Sequence, residues 1–546
     1  MDVNEFYKST FKIASPYKHQ LGVWEKLKNN QFPLLIKAPT GSGKTEAILA
    51  PFLNQFIERN FAIAPRLIYT LPMRVLVNSV AKRIRDYAEK LNLGISVEVQ
   101  HGDVPNSPFF ISDIVVTTLD QFLYGFARAS KQVGYHIDIP AGAIASSLVV
   151  FDEAHMYRDG FTFSIMRALM EILSKSEIPF VVMTATLPKS LEDSLFENIK
   201  IDDKTITTDS FDLGNSASIS IRNEPIYNEE DGVNIDKELY EKIKNKKTLI
   251  VLNQVKRVQK VYEKIKQRLD SDEDKPLYEI VLLHSRFTRT DRERHENTAL
   301  SIMTTKENEE NISKKKSKIV ISTQVLEAGM DFSAELLITE LAPADSIVQR
   351  AGRCARYKDE KGEIIIFPIE NDKGHLPYEK EYLEKTLGWL KGNQNFNIKD
   401  FKEVCSFVDI LDYKADDYEA RDTLVDLYEC VLYADTKPSN IQLREGKPVY
   451  LVVVNLAEGE GRKKEDRIRD AIRKTKIKDN SINVDFGVAW KLFKDGILKL
   501  RLDFDVEKGQ WEPKEIKDIS PFRYYVIESM DYNSEKGVVP DETSFI

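Results

Sequence analysis

The sequence predicts an α/β protein built on parallel, doubly wound sheets, with a smaller mixed α+β region toward its C-terminal end. Apolar strand patterns alternate with helical patterns over residues 32–188, which is typical of a parallel sheet covered by helices. The alternation starts again at residue 248, so we expect a second sheet of the same kind. A glycine-rich turn joins the first strand to the helix that follows it, at residues 38–45.

The composition is that of a globular protein with a sizeable core. The chain has 546 residues, of which 42% are hydrophobic and 30% are charged, and chains of this length form about three domains. The net charge of −9 argues against a nucleic-acid-binding protein of the generally basic kind. It leaves room for a local basic channel on an acidic body.

Cysteine usage and the apolar runs bear on the compartment. The three cysteines, Cys354, Cys405 and Cys430, form no C-x-x-C pair, which disfavours a disulfide framework and a cysteine-type zinc site. The first residues lack a signal-peptide pattern, and no apolar run approaches the length of a membrane span. We therefore expect a cytoplasmic protein that does not associate with membranes.

The glycine-rich turn, A-P-T-G-S-G-K-T, lies in the context that a phosphate-binding loop requires. A strand pattern at residues 32–36 precedes it, and a helical pattern at residues 46–56 follows it. The N-terminus of that helix would favour an anion. Because Ala38 stands where the pattern begins with glycine, an ordinary glycine turn remains the alternative.

The last five residues of this turn have predicted parts in binding ATP. Gly41, Ser42 and Gly43 would let backbone N–H groups face the phosphates. Lys44 would reach the β- and γ-phosphates, and the Thr45 hydroxyl would ligate Mg²⁺. The predicted cofactors are therefore ATP and Mg²⁺.

Two adjacent carboxylates follow a buried strand pattern at residues 147–151. Asp152 and Glu153 would be costly at such a position without a chemical task. Asp152 could complete the Mg²⁺ shell that Thr45 begins, and Glu153 could polarise the attacking water. A further strand pattern, at residues 180–183, ends in T-A-T-L-P.

Polar side chains also follow other strands of the first sheet. Arg74 comes after the strand pattern at residues 67–71, and Thr118 closes the one at residues 114–119. Ligands bind at this end of parallel strands, so these side chains suit contacts to a phosphate backbone. Helix capping is an equally good explanation for each residue taken alone.

The second half repeats the arrangement. Strand patterns at residues 248–252, 280–283 and 318–322 end at Asn253, at H-S-R-F and at Thr323. The charged segment at residues 306–316 has the composition of a solvated loop.

After another strand pattern, at residues 336–340, comes Q-R-A-G-R-C-A-R at residues 349–356. Three arginines on one short helical segment are more than a core would hold. We expect them to face phosphates, with Arg353 and Arg356 as arginine fingers. A solvated basic face is the alternative.

The last third contains no comparable motif but has the patterns of a folded region. Helical patterns cover residues 378–390, 401–411 and 420–433, and strand patterns cover residues 448–456, 497–504 and 522–527. A basic helix at residues 462–478 could face a phosphate backbone or a partner, or could simply be exposed.

Taken together and in order, the motifs A-P-T-G-S-G-K-T, D-E-A-H, T-A-T, S-T-Q-V-L-E-A-G-M-D and Q-R-A-G-R-C-A-R resemble those of superfamily 2 helicases. The resemblance covers about residues 15–368. It implies two RecA-like lobes that bind ATP between them and a nucleic-acid strand across both. We accordingly expect a first lobe at 1–205, a second lobe at 206–368 and an accessory domain at 369–546.

Finer strings resemble one branch of that superfamily. L-L-H-S-R-F, V-V-T-T-L-D-Q, L-N-Q-V-K-R-V-Q and V-L-E-A-G-M-D-F-S are similar to the CRISPR-associated helicase of type I interference systems. The resemblance implies unwinding of DNA from the 3′ to the 5′ end, by translocation on single-stranded DNA, after recruitment by the crRNA surveillance complex (Cascade).

One departure from that family concerns nuclease activity. Many members begin with a metal-dependent nuclease domain marked by an adjacent His-Asp pair. None of the seven histidines in this chain is followed by aspartate. We therefore expect a stand-alone helicase subunit whose HD-type nuclease is a separate polypeptide.

The resemblance also assigns roles to individual residues. It implies that Gln20 reads adenine and that Lys44, Thr45, Asp152 and Glu153 form the hydrolytic centre, with Arg353 and Arg356 as its fingers. Coupling between ATP and the strand is implied for Thr184, Thr186 and Gln349. Contacts to the strand are implied for Arg74, Thr118, Asn253 and Thr323, and a link between nucleotide and strand for Gly329 and Asp331.

Two other functions remain open from the sequence. A cellular RNA helicase of the Asp-Glu-Ala-His type would use the same catalytic residues. A nucleotide-gated scaffold that recruits a nuclease without unwinding would bind ATP but separate no strands.

Overall fold

Buried apolar strands organise the chain, as the sequence predicts. A computed structural model describes residues 2–102, 104–157, 160–201, 203–208, 214–273, 276–304, 316–327, 330–369, 374–413, 417–433, 448–461, 463–505 and 507–539. These residues divide into two compact units. The first unit comprises Met1–Asn215, Pro343–Val348 and Glu384–Glu445, and the second comprises Ser216–Ala342, Gln349–Leu383 and Gly446–Ile546.

An eight-stranded sheet forms the centre of the first unit. Its strands are β1 (Leu34–Lys37), β2 (Arg66–Leu71), β3 (Val97–His101), β4 (Val104–Pro105), β5 (Ile114–Thr118), β6 (Ser147–Phe151), β7 (Phe180–Thr184) and β8 (Thr205–Thr207). They lie in the order β4-β3-β5-β2-β6-β7-β1-β8, and all neighbours except β3 and β4 pair in parallel. Strands β2, β6 and β7 therefore end at one edge of the sheet, beside β1 and the glycine-rich turn.

Helices alternate with these strands along the chain. They are α1 (Val3–Phe6), α2 (Lys18–Lys28), α3 (Lys44–Glu58), α4 (Arg74–Leu91), α5 (Leu119–Phe126), α6 (Asp138–Ala145), α7 (Gly160–Lys175) and α8 (Lys189–Leu195). The core beneath them is aliphatic and aromatic, with Ile68, Val149 and Val182 fully buried. Burial of both sheet faces explains why the strands read as continuous apolar runs.

The second unit contains a six-stranded sheet whose neighbours all pair in parallel. Its strands, with a separate two-stranded pair formed by β10 and β11, are β9 (Ser216–Ile221), β10 (Tyr227–Asn228), β11 (Gly232–Val233), β12 (Thr248–Val251), β13 (Tyr278–Leu283), β14 (Ser317–Ser322), β15 (Leu336–Glu340) and β16 (Lys361–Phe367). The order is β13-β14-β12-β15-β16-β9. Between them run α9 (Lys237–Asn245), α10 (Val255–Asp270) and α11 (Arg289–Thr304). Helix α12 (Ala344–Ala351) is shared, with residues 344–348 in the first unit and residues 349–351 in the second.

The C-terminal residues contribute to both units. Helices α13 (Lys380–Gly392), α14 (Phe401–Val408) and α15 (Asp417–Val431) come first. Leu427 and Val431 of α15 pack into the core of the first unit, where Arg128 Nη1 donates to the Val431 carbonyl at 2.6 Å. The region predicted as one accessory domain, 369–546, is thus divided between the units: residues 384–445 belong to the first, and residues 369–383 and 446–546 belong to the second.

A mixed five-stranded sheet forms the C-terminal part of the second unit. It consists of β17 (Pro448–Val454), β18 (Ser481–Asp485), β19 (Leu500–Asp505), β20 (Gln510–Glu515) and β21 (Tyr524–Glu528), in the order β18-β17-β21-β19-β20. Helices α16 (Lys464–Lys474) and α17 (Phe486–Lys494) accompany it.

The predicted fold class is confirmed: two parallel sheets are followed by a smaller mixed α+β region. One local expectation is wrong, because α12 ends at Ala351 and the arginines of residues 349–356 do not share a helix. The charged segment predicted as a loop lies almost wholly outside the described residues. Over the described parts of the chain, no helix has both the length and the apolar character needed to cross a bilayer.

Candidate functional site

The glycine-rich turn between β1 and α3 adopts the backbone that only glycine accepts readily. Gly41 and Gly43 have φ angles of 81° and 77°, in the left-handed region. A Cβ atom at Gly43 would lie 2.5 Å from Gln20 Nε2, whereas one at Gly41 would meet nothing within 4 Å. The turn is therefore shaped both by its own torsions and by the close approach of Gln20.

Lys44 lies across the turn at the start of α3. Its ammonium group donates to the carbonyl oxygens of Ala38 at 2.7 Å and Pro39 at 3.1 Å, and the residue is 7% exposed. The charge that would meet a phosphate is thus held within the loop by the loop's own carbonyls.

His19 and Gln20 of α2 support the same turn. The Gln20 Oε1 accepts from the Tyr17 backbone N–H at 2.9 Å, and its Nε2 donates to the Gly43 carbonyl at 3.2 Å. His19 Nε2 lies 3.0 Å from the Ser42 carbonyl. Burial lowers the pKa of His19 to about 4, so the neutral ring donates through Nε2. Both polar groups of Gln20 are engaged here, and its adenine-reading role stays a prediction.

Asp152 and Glu153 follow β6 at the edge of the sheet. Asp152 is 6% exposed; its Oδ2 accepts from the Tyr69 hydroxyl at 2.6 Å and its Oδ1 from the Glu153 N–H at 2.9 Å. Burial, with the Glu153 carboxylate as the next cause, raises the pKa of Asp152 above its usual range. A divalent cation beside this buried carboxylate would stabilise its charged form.

Thr45 and Asp152, the two predicted metal ligands, are connected through a residue that the sequence motifs do not include. The Tyr69 hydroxyl of β2 lies 3.2 Å from Thr45 Oγ1 as well as 2.6 Å from Asp152 Oδ2. Arg83 of α4 donates to Thr45 Oγ1 through Nη2 at 2.7 Å. Its Nε is 3.7 Å from the carboxylate of Glu46. A tyrosine within the buried strand pattern at residues 67–71 was the one signal available in the sequence.

The residues of this edge fit a nucleotide with its cation. The donor set combines backbone N–H groups at the helix N-terminus, an ammonium, a hydroxyl and a buried carboxylate of raised pKa. Thr45 and Asp152 would hold Mg²⁺, and Lys44 with the loop would hold the phosphates.

His155 connects the carboxylates with the T-A-T segment. Its Nδ1 lies 3.2 Å from Thr184 Oγ1 and 3.6 Å from Glu153 Oε2. Thr184 Oγ1 also accepts from the Thr186 N–H at 3.2 Å. The predicted coupling residues thus contact the predicted hydrolytic residues through a histidine that the sequence reasoning did not assign.

Arg74 and Thr118 differ in accessibility. Arg74 begins α4 and is exposed, as a phosphate contact requires. Thr118 is 1% exposed and stands at the N-cap of α5 without a side-chain capping hydrogen bond. Within the described part of the chain its hydroxyl has no partner, so capping does not explain it. Strand contacts by both residues stay predictions.

In the second unit, Arg350 corrects an expectation about the arginines. Its side chain is 1% exposed, and Nε pairs with Glu327 Oε1 at 2.8 Å. Further bonds reach Thr339 Oγ1 at 2.8 Å and Asn253 Oδ1 at 3.0 Å. The core does hold this arginine, because a carboxylate and several oxygens satisfy its five N–H groups.

Asn253 is consequently an internal residue in this structure. It is 4% exposed, and its Nδ2 donates to the Leu341 carbonyl at 2.9 Å. Its backbone N–H donates to Glu340 Oε2 at 2.7 Å, while Arg257 pairs with Glu340 Oε1 at 2.9 Å. The side chain predicted to contact a strand is here engaged with protein groups.

The two predicted arginine fingers have different surroundings. Arg353 is 8% exposed and donates to the Glu327 carbonyl at 3.2 Å. Arg356 Nε pairs with Asp331 Oδ1 at 2.8 Å, and the Tyr357 hydroxyl is 3.2 Å from the same oxygen. Asp331 therefore contacts a predicted finger directly.

Two further predicted residues of this unit, Thr323 and Gln349, are buried. Thr323 caps the turn after β14 and is 4% exposed, and Gln349 of α12 is 9% exposed. Gly329 lies outside the described residues.

Two family models match this chain. Residues 17–194 match the DEAD/DEAH box helicase family, and residues 244–359 match the family described as CRISPR-associated nuclease/helicase Cas3, C-terminal. The matches fall on the two parallel sheets in turn. They confirm the resemblance to superfamily 2 helicases and to the CRISPR-associated branch.

Curated relatives of similar sequence are also CRISPR-associated helicases. The CRISPR-associated helicase Cas3 of Thermoproteus tenax is 28% identical over 383 residues, covering 66% of this chain and 61% of the relative. The CRISPR-associated nuclease/helicase Cas3 of Methanothermobacter thermautotrophicus is 27% identical over 392 residues, covering 66% and 43%. The chain thus spans about half the length of the curated relatives it matches.

Solved structures share the fold. The crystal structure of T. fusca Cas3-AMPPNP superimposes with a TM-score of 0.69 at 18% identity, covering 98% of this chain and 71% of that one. A chain of a CRISPR RNA-guided surveillance complex, pre-nicking, gives a TM-score of 0.60 at 19% identity, covering 97% and 68%. At these identities the likeness establishes the architecture of two RecA-like sheets followed by a C-terminal sheet.

Proposed function

We propose that this chain, similar in sequence and fold to Cas3 helicases, is an ATP-dependent helicase that translocates 3′ to 5′ on single-stranded DNA in type I CRISPR interference. The observation that carries the proposal is the Tyr69 hydroxyl, which joins Thr45 (3.2 Å) to Asp152 (2.6 Å) beside the glycine-rich turn. A structural glycine turn gives no reason for a hydroxyl and a buried carboxylate to converge there.

The residues at this edge of the first sheet have separate proposed roles in ATP hydrolysis. ATP hydrolysis breaks the bond between the γ-phosphorus and the oxygen that bridges it to the β-phosphate, and a bound Mg²⁺ would stabilise the charge on these phosphates. Lys44 and the loop N–H groups bind the phosphates, while Thr45 and Asp152 hold the cation. The Glu153 carboxylate orients the attacking water and takes its proton. His155 Nδ1 lies 3.2 Å from Thr184 Oγ1 and 3.6 Å from Glu153 Oε2, which places it beside that carboxylate without a hydrogen bond to it.

Arginines of the second unit would complete the chemistry. We assign Arg353 and Arg356 to the charge that develops on the γ-phosphate. Asp331 pairs with Arg356 at 2.8 Å, which supports a role for Asp331 in orienting that finger. Thr184, Thr186 and Gln349 would couple ATP to the strand, and Gly329 with Asp331 would link the nucleotide to it. Thr323 would contact the strand, and Gln20 would read adenine.

The strand itself would be gripped through its phosphates, so that movement does not depend on sequence. Arg74 is the exposed side chain that best supports such a contact. Thr118 and Asn253 would reach a strand only after the buried surroundings described above rearrange.

The proposed partners follow from the relatives. A chain of a CRISPR RNA-guided surveillance complex shares this fold, which supports recruitment by a crRNA surveillance complex (Cascade). The relatives named nuclease/helicase support a nuclease in the same pathway. We propose that a separate HD-type subunit carries out that cleavage.

The polymer that stimulates ATP hydrolysis tests the assignment. Steady-state ATPase would be measured with Mg²⁺ alone, with single-stranded DNA and with single-stranded RNA of the same sequence. The proposal predicts strong stimulation by DNA. Stimulation by RNA alone would instead favour an RNA helicase, an activity named for a relative that is 28% identical over 164 residues. ATP binding without any hydrolysis would favour a recruitment scaffold.

A further inference from the structure

Tyr69 occupies an unusual place for a tyrosine. It lies within β2, between Val116 of β5 and Val150 of β6, and is fully buried. The neighbouring strands are aliphatic at these positions, so packing alone would be served by phenylalanine. The hydroxyl is the part of the residue that needs an explanation.

The directions of the hydrogen bonds around this hydroxyl follow from the chemistry of the partners. Ionised Asp152 can only accept, so Tyr69 donates its single hydrogen to Oδ2 at 2.6 Å. Arg83 can only donate, so Thr45 Oγ1 accepts from Nη2 at 2.7 Å. The remaining contact, 3.2 Å between Thr45 Oγ1 and the Tyr69 oxygen, must therefore use the hydrogen of Thr45.

These hydrogen-bond directions leave one lone pair of Thr45 Oγ1 available to a cation. The hydroxyl hydrogen points to Tyr69, and the other lone pair faces Arg83. Asp152 is fixed at both oxygens, at Oδ2 by Tyr69 and at Oδ1 by the Glu153 N–H at 2.9 Å. The Arg83 charge is itself opposed by Glu46, whose Oε1 accepts from Tyr87 at 2.9 Å.

We propose that Tyr69 is a positioning residue that orients Thr45 and Asp152 together for Mg²⁺, an inference that rests on the proposed ATPase function. Residues that hydrogen-bond metal ligands set the ligands' orientation, and their loss lowers metal affinity by about 10- to 100-fold. Tyr69 acts through both ligands at once, because its one hydroxyl accepts from one and donates to the other.

Tyr69→Phe removes the hydroxyl while keeping the buried ring. Tyr157→Phe is the matched control, because Tyr157 is also buried and its hydroxyl has no hydrogen-bond partner within the described part of the chain. Binding of a fluorescent, non-hydrolysable ATP analogue would be measured against Mg²⁺ concentration and, separately, in EDTA. Circular dichroism melts would verify that each variant is folded.

For Tyr69→Phe we expect the Mg²⁺ concentration at half-maximal enhancement to rise roughly tenfold, with analogue affinity in EDTA changed by less than about twofold. Tyr157→Phe should match the wild type in both conditions. An unchanged Mg²⁺ dependence in Tyr69→Phe, or an equal loss with Mg²⁺ and in EDTA, would overturn the inference and leave the ATPase function standing. Absence of analogue binding by the wild type would instead overturn the proposed function, and this inference with it.

Discussion

Asn253 accepts a hydrogen bond from Arg350 at 3.0 Å within the core of the second unit. Arg350 carries its charge into that core because Glu327 pairs with it at 2.8 Å. Three motifs of the chain, those containing Asn253, Glu327 and Arg350, are thereby fixed to one another. Arg353 and Arg356 follow closely along the chain, which is still buried at Cys354 and Ala355.

The pairing predicts a large loss of stability when Arg350 is removed. Arg350→Met would leave Glu327 buried without its partner, and we expect the free energy of unfolding to fall by about 3–5 kcal/mol. Chemical denaturation measures this change. Arg294→Met is the control, because Arg294 pairs with Asp291 while its side chain is 56% exposed, and exposed pairs contribute at most about 1 kcal/mol. Equal losses in the two variants would contradict the account.

Substitution of the hydrolytic residues should separate binding from catalysis. Lys44→Ala removes the phosphate-binding ammonium, so we expect both nucleotide binding and turnover to be lost. Glu153→Gln keeps the shape but cannot take a proton, so binding should persist while kcat falls by at least about 100-fold. Binding by calorimetry and turnover by phosphate release would be compared with Lys82→Ala, an exposed lysine of α4. Normal turnover in Lys44→Ala or Glu153→Gln would refute the assigned site.

The two glycines of the turn provide a matched pair. Gly41→Ala and Gly43→Ala both place a side chain at positive φ, which costs about 1–2 kcal/mol. Only at position 43 does the new Cβ also collide with Gln20 Nε2, at 2.5 Å. We therefore expect a lower melting temperature for Gly43→Ala than for Gly41→Ala in thermal denaturation. The reverse order would show that Gln20 does not restrict the turn.

The buried imidazole of His284 should make the stability of the folded protein depend on pH. Burial lowers its pKa to about 3, and its Nδ1 accepts from the Arg286 N–H at 3.1 Å. The unfolded chain binds this proton near pH 6.5 and the native chain does not, so acid favours unfolding below that pH. Lowering the pH from 6.5 to 5 should remove about 1.5 kcal/mol of stability through this residue alone.

Denaturation at both pH values checks this effect. His284→Gln should lose less stability than the wild type over the same interval. His136→Gln, which alters an exposed imidazole, should behave as the wild type does. Identical pH dependence in wild type and His284→Gln would contradict a buried neutral ring.

The sequence predicted the central strands well because they are buried on both faces and polar or proline residues bound them. Strand β6 was predicted to the residue and β7 to within one. Strand β9 was missed because only alternate residues along it are partly buried, so its sequence S-A-S-I-S-I resembles a linker.

The glycine-rich turn and the carboxylates could be found from sequence, since local motifs determine them. The parts that were missed depend on distant pairing. Arg350 was expected outside the core because its partner, Glu327, belongs to another motif. Tyr69 and Arg83 belong to no local motif around Thr45, because only the folded structure brings them to it.

Strand displacement with defined tails tests the central claim most directly. The wild type and Glu153→Gln would be given ATP, Mg²⁺ and a DNA duplex carrying a single-stranded tail at either the 3′ or the 5′ end. The account predicts displacement by the wild type on the 3′-tailed duplex, little on the 5′-tailed duplex, and none by Glu153→Gln on either. Displacement from the 5′ tail alone, or equal displacement by Glu153→Gln, would contradict it.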